Sequence, residues 1–239
     1  MGNGTKKTLR VLYTGLRAPE EVPDEIDLRH RPMLEIEWTE ATPADLGELL
    51  TPQTTLLVYS RTAVERLDRE DWLARLSGLA ERPWWSVGHK TAEALKRRLG
   101  IDARVPSEQN FEGLLAELSR RRPRAGTYRL VSLSLEGTTR DPGPALSEDG
   151  TWHDLPLYRT VPATYPSLDE ELSDWRPDWI LFTSPKAIDA FMANVDFSDV
   201  DTRIAAIGPT TAEHLESYGL AADFVPDEPG RDALLRGLS

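Results

Sequence analysis

The sequence predicts an α/β protein of two similar, doubly wound parallel-sheet domains joined by a two-stranded antiparallel connector, with an interdomain cleft. Three observations predict it. One pattern occurs twice in the 239 residues: an apolar run, a Ser/Thr turn, an amphipathic stretch, a second apolar run ending in Gly, and a Thr-Ala helix start. Each copy alternates short β-branched or aliphatic runs with helical stretches of about ten residues or more, the pattern of βα units around a parallel sheet. Two extended, Pro-flanked pieces bracket the first copy.

Taken in order, Leu9-Arg10-Val11-Leu12-Tyr13 reads as a first strand. Pro32 to Trp38 reads as extended, since proline disfavours helix at its own position and at the one before. The first copy follows. Leu56-Leu57-Val58-Tyr59-Ser60-Arg61-Thr62-Ala63-Val64 is a strand, a turn and a helix start, and Ser86-Val87-Gly88-His89-Lys90-Thr91-Ala92 is the second such unit. Trp84 and Trp85, ahead of that strand, read as core or interface. Gly100 is a helix C-cap, Val105-Pro106 is extended, and Phe111 to Leu118 is helical. Tyr128 to Leu133 is another strand, and Leu155 to Pro162 is the second Pro-flanked extended piece.

The second copy aligns with the first. Trp179-Ile180-Leu181-Phe182-Thr183-Ser184-Pro185-Lys186 sets Ser184 against Ser60, and Ala206-Ile207-Gly208-Pro209-Thr210-Thr211-Ala212 sets Gly208 against Gly88. Gly219, Val225-Pro226 and the stretch from Arg231 to Leu238 repeat Gly100, Val105-Pro106 and Phe111 to Leu118. Two structurally similar halves are the simplest account. The predicted boundaries are residues 1–33 plus 160–239 for a discontinuous domain and 36–158 for an inserted one, with connectors near 33–38 and 155–162. The N-terminal strand then joins the C-terminal half.

Composition removes several function classes. The absence of cysteine excludes disulfides, thiolate nucleophiles and Cys-ligated metal centres. Forty acidic against 28 basic side chains give a net charge of −12, a field that repels nucleic acid and anionic membranes. No stretch approaches the roughly 18 apolar residues of a membrane span, and the N-terminal stretch is polar, so a soluble, cytoplasmic protein is expected. Walker, dinucleotide-binding and serine-hydrolase signatures do not occur. The histidines, His30, His89, His153 and His214, lack metal-ligand spacing and read as structural or surface residues, so no metal is expected.

What remains is the duplicated turn. A strand ending in Gly, with Thr in the first helical turn, sets backbone N–H groups and a hydroxyl where an anion can sit. In such sheets ligands bind beyond the carboxyl ends of the strands. Ser60, Arg61, Thr62, Gly88, Lys90 and Thr91 would lie there in one half, and Ser184, Lys186, Gly208, Thr210 and Thr211 in the other. A ligand spanning both rims is large and carries several anionic groups. Against a net charge of −12 it needs local cations, for which Arg17, Arg61, Lys90, Arg140, Arg159 and Lys186 are the candidates. Tyr158 in the second connector is either a packing aromatic or a proton donor.

Several of these segments resemble the uroporphyrinogen-III synthase family. They are Phe182-Thr183-Ser184-Pro185, Ala206-Ile207-Gly208-Pro209-Thr210-Thr211-Ala212, Leu157-Tyr158-Arg159-Thr160 and Gly137-Thr138-Thr139-Arg140, in an order and spacing similar to the family's from about Leu9 to Leu238. The resemblance implies two α/β domains with a cleft, no cofactor, and the linear tetrapyrrole octacarboxylate hydroxymethylbilane as substrate. It implies a cyclising dehydration that inverts ring D, held by orientation more than by strong acid–base groups. Tyr158 matches the family's tyrosine that assists departure of the ring A hydroxyl; a phenol with an ordinary pKa of about 10 is protonated at neutral pH and can donate.

The same resemblance makes Ser60, Thr91, Ser184, Thr210 and Thr211 contacts to carboxylates or pyrroles, followed by Lys90, Lys186 and Arg140. A monomer making transient contact with hydroxymethylbilane synthase is the expected assembly, without nucleic acid or membrane. The alternatives are a non-catalytic two-domain binding protein for an anionic tetrapyrrole or similar metabolite, and a structural protein in which the repeat is scaffold alone.

Overall fold

The computed structural model describes residues 8–121, 128–138, 140–143, 150–196, 202–228 and 230–238. Thr139, part of the turn quoted above, lies outside them. Strands in chain order are β1 (Leu9–Tyr13), β2 (Ile26–His30), β3 (Leu34–Trp38), β4 (Thr54–Val58), β5 (Trp84–Ser86), β6 (Tyr128–Leu135), β7 (Gly150–Pro162), β8 (Trp179–Phe182) and β9 (Arg203–Ala206). Helices are α1 (Pro43–Leu49), α2 (Arg61–Arg69), α3 (Trp72–Arg75), α4 (His89–Leu99), α5 (Phe111–Arg121), α6 (Leu168–Trp175), α7 (Pro185–Met192), α8 (Pro209–Glu216) and α9 (Arg231–Arg236).

The chain divides into two compact units, residues 1–35 with 161–239, and residues 36–160. In the first unit the sheet order is β2-β1-β8-β9, every neighbour parallel. In the second, β7, β6, β4 and β5 form the same parallel arrangement, with β3 beyond β7. β3 runs antiparallel to β7: Ala163 N donates to Met33 O at 2.9 Å and Thr39 N to Leu157 O at 3.3 Å, so residue numbers rise along one strand as they fall along the other.

Isolated parallel bridges extend both sheets at equivalent places, Trp85 with Arg104 and Ala205 with Phe224. The bridges fall at equivalent positions of the two copies, just ahead of Val105-Pro106 and Val225-Pro226. β6 and β7 hold the places in one sheet that β1 and β2 hold in the other, but β6 and β7 come last in their unit and β1 and β2 come first. A chain rotated in order around the same sheet accounts for both.

Alternate residues of the central strands bury on opposite faces, as a sheet covered on both sides requires. Leu56 and Val58 join Ala63, Val64, Leu67, Ala94 and Leu95 of α2 and α4, whereas Leu57 joins Leu114 and Leu118 of α5. Ile180 and Phe182 likewise pack with Ala187, Ile188 and Phe191 of α7, and Leu181 with Leu234 and Leu235. Each Leu, Ile, Val or Phe among them contributes about 1.5–3 kcal/mol when fully buried, the alanines less.

Some expectations are revised. Trp84 and Trp85 lie within β5 and not ahead of it; they are core residues as expected, 2% and 4% exposed. β2 had no counterpart in the sequence reading, and β7 begins at Gly150, well before Leu155. Gly100 caps α4 in the left-handed region at φ 70°, but α8 is capped by Ser217, and Gly219 takes its positive φ two residues later.

Candidate functional site

α2, α4, α7 and α8 begin directly after β4, β5, β8 and β9, so chain order sets their N-termini at the carboxyl ends of parallel strands. The first N–H groups of a helix lack intrahelical acceptors, which makes each start a weak anion site. Ser60 caps α2, its Oγ accepting from Ala63 N at 3.2 Å, and Ser184 caps α7, its Oγ accepting from Ala187 N at 3.2 Å. Gly88 and Gly208 cap α4 and α8 without a side chain; at α4 the Gln109 side-chain oxygen supplies the acceptor, taking His89 N at 3.0 Å.

The charges in these first turns are segregated. No acidic residue occurs in the first turn of α2, α4, α7 or α8, although Asp45, Glu112, Asp169, Glu170, Glu171 and Asp232 occupy the first turns of α1, α5, α6 and α9. Arg61, Lys90 and Lys186 stand there instead. A cation at a helix N-terminus opposes the macrodipole and is disfavoured for the helix itself. Lys90 and Lys186 are exposed and in no ion pair with a described residue.

Other predicted residues fall elsewhere. Thr62, Thr91 and Thr211 are 4%, 7% and 3% exposed, so these side chains face the interior of their turns, whereas Thr210 is exposed. Arg159 is bound to Glu37 at 2.8 Å and lies 3.7 Å from Glu136, pairings that raise its pKa and neutralise it as an anion-binding cation. Arg140 lies over the Tyr59 ring, 3.8 Å from its centroid. Burial pushes the Tyr59 phenol well above its ordinary pKa; Ser132, which faces it outside hydrogen-bond geometry, and Arg140 act in the opposite sense.

Tyr158 is 7% exposed, and its hydroxyl donates to Ser60 Oγ at 2.8 Å. The pairing of β6 with β7 shifts at this point: Ser134 opposes Pro156 but Leu135 opposes Tyr158, so Leu157 is an extra residue. Such a bulge re-aims the side chains that follow it. Leu157 and Tyr158 are both buried although they are consecutive in a strand. The Ser60 oxygen accepts from both Tyr158 and Ala63, and its own proton is left to donate.

Sequence reasoning missed a concavity of about 510 Å³ beyond the carboxyl end of β2, lined by His30, Arg31, Tyr165 and Glu171 among others. Arg31 is held there by Glu171 through contacts of 3.0 and 2.8 Å, and the same carboxylate accepts from Arg29 at 3.2 Å. Among the described residues no cluster of His, Asp or Glu is arranged to hold a metal ion, and no helix is long and apolar enough to cross a membrane.

A family model, uroporphyrinogen-III synthase HemD, matches residues 27–236. The chain belongs to the uroporphyrinogen-III synthase family. A uroporphyrinogen-III synthase of Chlorobaculum parvum is 28% identical over 162 residues, which cover 64% of this chain and 63% of that relative. Among solved structures, a uroporphyrinogen-III synthetase from Helicobacter pylori matches with a TM-score of 0.65 at 18% identity, over 95% of this chain and 97% of that one. A mutant uroporphyrinogen III synthase from Thermus thermophilus matches at 0.53 and 20%, over 96% of each. At these identities the structural matches speak for the fold, and the family match speaks for membership.

Proposed function

We propose that this member of the family is an active uroporphyrinogen-III synthase in tetrapyrrole biosynthesis. Its reaction would convert hydroxymethylbilane into uroporphyrinogen III by cyclising dehydration with inversion of ring D. The observation that carries the reading is the charge segregation at the repeat-derived helix starts. In a chain of net charge −12, four helix N-termini lack first-turn acids and three of them gain a cation, a pattern suited to a polycarboxylate ligand.

The carboxylates are received by Ser60, Arg61, the start of α4 at Gly88 and Lys90, Ser184, Lys186, and the start of α8 at Gly208 and Thr210. Thr62, Thr91 and Thr211 hold the turns from inside. Tyr158 turns its single proton from Ser60 Oγ toward the departing ring A hydroxyl. The azafulvene so formed is attacked by the substituted end of ring D, and the resulting spiro intermediate fragments and recloses. Holding the two ends of the chain in register lowers the entropic part of the barrier, so few residues are obligatory.

Turnover separates this reading from that of a binding protein. With hydroxymethylbilane generated in situ, an enzyme accelerates its disappearance above the uncatalysed cyclisation in proportion to protein added. A binding module leaves that rate unchanged or lowers it.

A further inference from the structure

On the opposite side of β4 from α2 and α4, three buried polar atoms on and around Tyr59 lack a partner. They are the Tyr59 hydroxyl, Ser132 Oγ and Arg140 Nη1, and none has a hydrogen-bond acceptor or donor among the described residues. Tyr59 follows β4 directly, and Ser132 stands on β6 opposite Leu57, fully buried. The Arg140 guanidinium lies 3.8 Å from the Tyr59 ring centroid and 5.6 Å from that of Phe111.

The neighbouring carboxylates are engaged elsewhere. Asp154 Oδ2 accepts from Trp152 Nε1 at 3.0 Å, and Asp141 Oδ1 accepts from Gly143 N at 2.8 Å. Arg140 makes no ion pair with any described residue. Leaving buried donors unmatched costs free energy, more so when one belongs to a charged group. Two hydroxyls can satisfy each other only in part, and neither supplies the negative charge a half-buried guanidinium lacks.

We propose that Tyr59, Ser132 and Arg140 form a seat for one carboxylate of the substrate, a single chain position away from Ser60 and its partner Tyr158. The carboxylate takes the Arg140 N–H and the two hydroxyl protons, three donors for one anionic group. This inference rests on the polycarboxylate substrate proposed above and assigns Tyr59 and Ser132 to its binding.

The test is direct binding of uroporphyrinogen III, kept reduced under nitrogen and followed by tryptophan fluorescence, to the wild type, Tyr59→Phe and Ser132→Ala, with a melting temperature for each. Removal of an unmatched buried hydroxyl leaves the free protein as stable as before or more so, yet weakens binding about ten-fold for either variant, the worth of a hydrogen bond to a charged group. Unchanged dissociation constants in both variants, in folded protein, overturn the seat, as does a failure of the wild type to bind. Because binding is read without turnover, the outcomes separate. Weakened variants with an inactive wild type keep the seat and remove the enzymatic reading, and an active wild type with unaffected variants does the reverse.

Discussion

The Tyr158 hydroxyl donates to Ser60 Oγ at 2.8 Å, joining an aromatic of β7 to the cap of α2. The cap is itself repeated in the other unit at Ser184, where no equivalent tyrosine hydrogen bond occurs among the described residues. The two caps share a scaffold and differ in their partners, and the tyrosine belongs to the 36–160 unit.

Tyr158→Phe keeps the packing of a residue that is 7% exposed and removes only its donor. The fold is retained, with a stability change of about 1 kcal/mol. Turnover falls by about a hundred-fold, the low end of what a positioned general acid contributes, with KM little altered. Steady-state kinetics on the purified variant checks the split.

Ser60→Ala and Ser184→Ala each lose an N-cap, at about 1 kcal/mol apiece. Ser60→Ala loses more, because it also leaves the Tyr158 hydroxyl without this acceptor. A double-mutant cycle of Ser60→Ala with Tyr158→Phe gives a coupling of about 0.5 kcal/mol or more, whereas Ser184→Ala with Tyr158→Phe is additive. Urea unfolding of the single and double variants measures both.

Charge reversal at the helix starts has opposite effects on stability and on binding. Lys90→Glu and Lys186→Glu place a carboxylate where the helix dipole favours one and raise stability by a few tenths of a kcal/mol. The same changes raise KM, and the effect shrinks as salt is added. Melting curves and KM at two ionic strengths give the comparison.

On the acid side, Asp189 links the stability of the first unit to pH. A hydrogen bond from His214, Nε2 to Asp189 Oδ1 at 2.6 Å, holds the Asp189 carboxyl below its ordinary pKa, slight burial acts against it, and the Tyr218 hydroxyl at 2.8 Å adds to the lowering. A depressed folded-state pKa contributes stability that is complete above the unfolded value of about 4 and is lost as pH falls through the folded one. Asp189→Asn therefore lowers stability at neutral pH, by a small amount because the pair is largely exposed, and the difference from wild type closes as the solution is acidified below that range. Denaturant melts across pH 2 to 7 follow it.

The fold was legible where the pattern is local. The repeat around Ser60 and Ser184 set out β4, β8 and the helices after them because a strand, a cap and an amphipathic helix are each written in consecutive residues. β2 and the start of β7 were not legible: Ile26 to His30 forms an edge strand with three polar side chains, and Thr151 and Asp154 point to solvent. At the site, Ser60 and Ser184 stood out as caps, but the inward turn of Thr62, Thr91 and Thr211 is set by packing. The Tyr158 contact depends on one extra residue in β7, and the meeting of Tyr59 with Ser132 depends on strand register. Neither is encoded in spacing along the chain.

The isomer of the product shows whether this protein directs ring closure. Hydroxymethylbilane is generated in situ with the protein present, the products are oxidised, and the type I and type III porphyrins are separated by chromatography. A synthase gives predominantly the type III isomer. Type I alone, formed at the uncatalysed rate in the presence of demonstrably folded protein, would contradict that activity.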